Sequence, residues 1–226
     1  MLQYPRGPTA FLRGINQIMI IQNFVVFEGG DGSGTSTQLK LLGERLALFA
    51  SRCTCHICFE PTDGLIGRLI RSSLRGDPIY CPETVARLFA SDRGEHLFSK
   101  GGIVERAARG ELVVSDRYVL SSLVYQSIAC GNDLPFRLNE DFPHPELLFY
   151  FEIDPHKALE RIESRPVKDV FEQLEFQQKV KARYEALLPA YGSAGTRIVR
   201  IDAAQSVEEI STHIWSEMQK MPILSV

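Results

Sequence analysis

The segment Phe24-Val25-Val26-Phe27-Glu28-Gly29-Gly30-Asp31-Gly32-Ser33-Gly34-Thr35-Ser36-Thr37 constrains this chain more than any other. An apolar run of strand length feeds a glycine-rich turn. Leu39, Leu42, Leu46 and Phe49 then recur at three- and four-residue spacing, the mark of an amphipathic helix. Glycines allow positive φ and let backbone N–H groups converge on one point, and the start of a helix adds a partial positive charge there. Strand, turn and helix start together make a cradle for an anion, above all a phosphate.

The spacing is that of a P-loop: a glycine, four residues, a second glycine, lysine, then serine or threonine. Gly29, Gly34 and Ser36 fill their places, but Thr35 stands where lysine belongs. The expected ATP contacts are Gly29, Gly30, Asp31, Gly32, Ser33, Gly34, Thr35, Ser36 and Thr37, with the Ser36 hydroxyl placed for Mg²⁺. Thr35 donates a hydrogen bond and carries no charge. Either the site is dead, or another cation neutralises the β and γ oxygens.

Further along, apolar runs of strand length alternate with helical patterns. Strands are predicted at 24–28, 55–59, 112–115, 147–153 and 197–201, and helices at 66–74, 82–99, 120–129, 158–164, 172–188 and 207–219. This alternation predicts an α/β, three-layer fold, a five-stranded parallel sheet flanked by helices. Residues 19–226 read as one domain. Residues 1–18, with Pro5, Gly7, Pro8 and Gly14, stand apart as a leader, expected to be a disordered tail or a misplaced start before Met19.

Composition excludes several classes. A formal net charge of -3 gives no basic field for nucleic acid. No apolar run approaches the ~20 residues of a membrane span. Five cysteines, three of them within Cys53-Thr54-Cys55-His56-Ile57-Cys58, raise the question of a metal site. Ligands so close in sequence wrap poorly around a tetrahedral ion, so these cysteines are read as small apolar residues of a buried strand. That reading implies a reducing, cytoplasmic setting. The five histidines fit no nucleophile–base or metal spacing.

Specific resemblance begins at Asp116-Arg117-Tyr118, Ser121-Ser122 and Tyr125-Gln126, just after the third predicted strand. Together with Arg87 to Arg93, Phe59-Glu60-Pro61-Thr62 and Pro145 through Arg161, these motifs resemble the thymidylate kinases over residues 23–219. The residue types suit that chemistry: a monophosphate acceptor is already anionic, so two anions must be aligned rather than a base supplied. Arg117 offers a planar fork for a phosphate. The resemblance implies that Phe89 stacks on thymine and Arg93 bonds its edge. It places Ser122 at a base-reading position, Tyr125 beneath C2′ of the sugar and Asp31 near the 3′-hydroxyl, with Gln126 also on the substrate. Asp116, at a strand's carboxyl end, is a candidate to orient Mg²⁺, and Glu60 is a second.

A short lid is expected around residues 161–172. Arg161 and Arg165 share a helix face there, Pro166 ends that helix, and Lys168 and Asp169 follow; Val170 departs from the family pattern, where arginine is expected. Arg161 or Arg165, with Lys168, is the expected source of the charge missing at Thr35, so Arg117, Arg161 and Arg165 are the candidate catalytic residues. The implied reaction is phosphorylation of dTMP by ATP–Mg²⁺, with dTMP and ATP as partners and a homodimer as the assembly. The alternatives are a non-catalytic nucleotide-binding protein of this fold and a deoxynucleoside kinase.

Overall fold

The structure, a computed structural model, describes residues 19–48, 53–163 and 174–225. The leader at 1–18, Phe49 and the lid residues Arg165, Pro166, Lys168, Asp169 and Val170 lie outside the described residues. Five strands, β1 (Ile20–Gly29), β2 (Cys55–Phe59), β3 (Leu112–Asp116), β4 (His144–Glu152) and β5 (Arg197–Asp202), form one parallel sheet in the order β2-β3-β1-β4-β5. Nine helices are described: α1 (Thr35–Ala47), α2 (Leu65–Leu74), α3 (Pro82–Phe98), α4 (Ile103–Ala108), α5 (Val119–Cys130), α6 (Leu134–Asn139), α7 (Pro155–Glu163), α8 (Leu174–Ser193) and α9 (Val207–Met218).

Central strand β1 shows why the sheet needs cover on both sides. Phe24 and Val26 enter the core shared with α3, α5 and α8, while Val25 and Phe27 enter the core shared with α1 and α9. A strand buried on both faces is continuously apolar, as this one is. The five predicted strands are all present. β1 begins at Ile20, earlier than expected, because its register with β4 shifts between Ile21 and Val25. Asn23 lies in the left-handed region there (φ 60) and donates its N–H to Glu146 Oε2 at 2.7 Å. That irregularity interrupts the alternation by which a strand is read.

Two helices were not expected. α4 and α6 each have six residues, too few for a 3.6-residue period to register. α8 continues through Pro189 to Ser193, past the expected end at Leu188. Tyr184, Leu187, Leu188 and Tyr191 fall at helical spacing and are all buried against the sheet, and this packing outweighs the proline's local cost. Cys53 and Cys58 are buried beside apolar neighbours, all five thiols are free, and the described residues hold no cluster of metal ligands. Among the described residues no helix is long and apolar enough to cross a membrane.

At the amino end of β4, His144 stacks on Tyr191 with ring centroids 4.1 Å apart, and its Nδ1 is buried without a partner. Burial pushes this imidazole down to about 4. A depressed histidine stabilises the fold above its unfolded value near 6.5 and loses that contribution as pH falls toward 4, on the order of 3 kcal/mol. His144→Phe keeps the stack without the titration. The gap in urea-unfolding stability between the wild type and this variant is therefore expected to shift between pH 6.5 and 4 and to stay flat above pH 7.

Candidate active site

The carboxyl ends of β1 and β3 lie side by side: Arg117 N–H donates to Phe27 O at 2.8 Å, and Glu60 N–H to Asp116 O at 3.0 Å. This is where ligands collect in open α/β sheets. The turn after β1 has Gly32 at φ +79 and Gly34, which caps α1, at φ +92. A Cβ on Gly32 would lie 2.5 Å from the carbonyl oxygen of Ala158, so both backbone angle and space demand glycine. Thr35 opens α1 and is buried. Ser33 Oγ, also buried, has no partner, as expected of a group facing a ligand.

Asp116 and Ser36 meet as the spacing requires. Ser36 Oγ donates to Asp116 Oδ2 at 2.6 Å, and Asp116 Oδ1 is buried with no partner. Two hard oxygen donors, one left unsatisfied, fit an oxygen-seeking cation at the mouth of the loop. Glu60 is not at this place. It is buried just after β2 and binds Arg93 instead, which removes it as a candidate for the metal.

Arg117 occupies the left-handed region (φ 71), rare for a residue with a side chain. Its guanidinium reaches back across the phosphate loop: Nη2 donates to Asp31 Oδ1 at 2.6 Å, and Nη1 to Gly29 O and Ser121 Oγ, both at 3.2 Å. The Tyr125 ring lies under it, 5.3 Å from the guanidinium carbon, and the Tyr125 hydroxyl donates to Asp31 Oδ2 at 3.2 Å. Gln177 of α8 also donates to that oxygen, at 3.3 Å. Asp31, Arg117 and Tyr125 thus form one cluster. Gln177 was not singled out from the sequence because nothing local marks it; α8 brings it there from 146 residues away.

Arg93 and Ser122, both named for the base, form a second cluster on α3 and α5. Arg93 is fully buried. Its Nε donates to Glu60 Oε2 at 2.9 Å, Nη2 to Ser122 Oγ at 2.9 Å, and Nη1 to the side-chain oxygen of Asn139. Tyr118 and Phe142 flank it at 5.3 and 5.6 Å. Phe89, one turn before Arg93, is half-buried, and Gln126 is buried with its Oε1 unpartnered. His96 shares Glu60 with Arg93, at 3.1 Å. Burial opposes its charge, yet bonds to Cys58 and Glu60 push it up to about 10. Asn139 and His96 were missed because each looks ordinary in its own segment.

Of the lid cations, Arg161 is described. From α7 it donates to Gly32 O at 3.4 Å and to Ala203 O at 2.9 Å, so it bridges the phosphate loop and the segment after β5. A glycine-rich phosphate loop, a carboxylate–hydroxyl pair and flanking guanidinium groups define a P-loop nucleotide-binding phosphotransferase.

The comparisons agree. A sequence model described as thymidylate kinase matches residues 27–214. A Treponema pallidum (strain Nichols) protein with a thymidylate kinase name is 39% identical over 204 residues, 89% of this chain and 97% of the relative. A probable thymidylate kinase of Methanocaldococcus jannaschii is 35% identical over 206 residues, 90% of this chain and 100% of the relative. One from Methanococcus maripaludis (strain S2) is 43% identical over 169 residues, 74% and 78%. This chain belongs to the thymidylate kinase family.

Removing Glu60 leaves the Arg93 guanidinium buried without its counter-charge. Glu60→Ala is expected to cost about 3–5 kcal/mol of stability, read from the midpoint of urea unfolding at constant slope.

Proposed function

We infer that this chain transfers the γ-phosphoryl group of ATP to dTMP, forming dTDP on the way to dTTP. The observation that carries this reading is the Asp31–Arg117–Tyr125 cluster set against the phosphate loop. An acceptor phosphate needs no base, only a cation to hold it in line with the donor. Arg117 supplies that cation, and its contacts with Asp31 and Gly29 O aim it at the gap between the two nucleotides. Asp31, Tyr125 and Gln126 line the sugar and its surroundings; Phe89, Arg93 and Ser122 form the base side. A deoxynucleoside kinase would need a free carboxylate at the 5′-hydroxyl. Asp31, the nearest carboxylate to Arg117, is instead held by Arg117, Tyr125 and Gln177.

The loop residues Gly29 to Thr37 cradle the ATP phosphates. Ser36 and Asp116 are the residues that would hold Mg²⁺, which supplies charge neutralisation on the phosphate oxygens when bound. Residues 19–226 act as one catalytic domain, with the lid at 161–172. The exposed apolar Ile57 and Phe59 on outermost strand β2, with Leu65 on α2, support a homodimer. Light scattering is expected to give twice the chain mass, and a monomer at micromolar concentration would refute it. Free thiols suit a reducing cytoplasm, and an acidic net charge of -3 argues against nucleic acid as a partner.

Arg161 or Arg165, with Lys168, supplies the charge absent at Thr35; the support is the Arg161 contact with Gly32 O. In a coupled ADP-release assay with ATP and Mg²⁺, turnover is expected with dTMP and not with thymidine or UMP. Alanine at Arg161 or Arg165 is expected to lower kcat by about 10³-fold or more. Binding without turnover would favour a non-catalytic role. If Arg161→Ala and Arg165→Ala leave kcat unchanged while Thr35→Lys raises it greatly, the compensation idea fails.

A further inference from the structure

Glu28 follows the apolar run of β1, and its carboxylate meets α5 and α8, fully buried. A carboxylate there demands a reason, and its partners give one. Oε1 accepts the N–H groups of Tyr118 at 3.0 Å and Ser121 at 3.1 Å. Oε2 accepts the hydroxyls of Ser121 at 2.6 Å and Tyr184 at 2.9 Å. Tyr118 is the N-cap of α5 and offers no side-chain cap of its own, so Glu28 caps that helix from a neighbouring strand.

The capped turn is the one that carries Arg117. Its left-handed backbone is strained for a residue with a side chain and persists only where its surroundings over-determine it. Arg117 is fixed on one side by its N–H to Phe27 O. On the other, Tyr118, the very next residue, is fixed by Glu28. Ser121 Oγ, bonded to Glu28, also accepts Arg117 Nη1 at 3.2 Å, so the carboxylate touches both the backbone and the side-chain setting of the arginine.

We propose that Glu28 is a positioning residue for the acceptor phosphate: it holds the 116–118 turn so that the Arg117 guanidinium crosses the phosphate loop. This rests on the reading of Arg117 as the acceptor-phosphate ligand. Burial pushes the Glu28 carboxyl up to about 7, against the Ser121 hydroxyl and the Arg117 charge. The titratable or charged groups facing it are Arg117, with its partner Asp31, from the two loops, and Tyr184 and Tyr191 from α8.

Glu28→Gln keeps the volume and exchanges one acceptor oxygen for an NH₂ that cannot receive the Ser121 and Tyr184 hydroxyls. The full chain carrying it is expected to raise KM for dTMP about tenfold, the equivalent of one charge-assisted hydrogen bond, with KM for ATP within about twofold. Between pH 8 and 6 the wild type is expected to lose dTMP affinity beyond the loss in Glu28→Gln, which shares only the substrate's own ionisation. Tyr184→Phe, a milder loss at the same carboxylate, is expected to raise KM for dTMP about threefold. If both variants keep wild-type KM for dTMP, or if both lower only the unfolding midpoint, the proposal is overturned. Arg117→Lys separates the premises: wild-type dTMP affinity there refutes the role of Arg117, whereas weakened affinity there with none in Glu28→Gln refutes only that of Glu28.

Discussion

The ion pair between Arg117 and Asp31, 2.6 Å long, joins the two loops on which the site depends. Asp31 sits in the phosphate loop after β1, and Arg117 opens the turn after β3. Neighbouring parallel strands bring those loops together without fixing their relative orientation. A planar guanidinium, bonded to Gly29 O and Asp31 at once, does fix it. Both partners are only partly exposed, so the pair is screened less than a surface contact. Tyr125 beneath the arginine and Gln177 beside the aspartate then take their places around an already rigid pair.

Much of this architecture is written in local pattern. Apolar runs of strand length marked all five strands, and the strand–turn–helix unit around Gly29 to Ser36 placed the phosphate loop where the structure has it. Departures occur where non-local packing outvotes local preference. Pro189 reads as a stop, but Tyr191 beyond it is buried against the sheet, and α8 runs on. The left-handed Asn23 breaks the alternation that would have extended β1 to Ile20. α4 and α6 are single short turns whose period no sequence window resolves.

The site divides along the same line. Asp116, Arg117, Ser36 and Tyr125 stood out because they lie in compact motifs, and they converge as those motifs suggested. Glu28, Asn139, Gln177 and His96 did not, because each acts on a residue 30 or more positions away and carries no mark in its own segment. Glu60 shows the limit most clearly. A carboxylate near a strand's carboxyl end suggests a metal, yet Glu60 is buried and paired with the Arg93 guanidinium at 2.7 Å. Charge balance accounts for Glu60 alone: a buried guanidinium at Arg93 requires a buried acid, and Glu60 is it.

Thr35 is then a statement about where charge resides rather than whether the loop binds phosphate. Backbone N–H groups and the start of α1 offer about half a unit of positive charge, far short of a triphosphate. In the reading proposed above the remainder falls to the cations of α7 and the segment after it, of which Arg161 donates to Gly32 O. A loop lysine is a point charge that moves with the loop itself, whereas an arginine on α7 brings a planar donor whose direction is set by a separate element. Arg161 is exposed, so water screens it strongly until the site excludes solvent. If Arg161 supplies the missing charge, as proposed above, its hold on the donor phosphates would depend on how far that position is shielded from water.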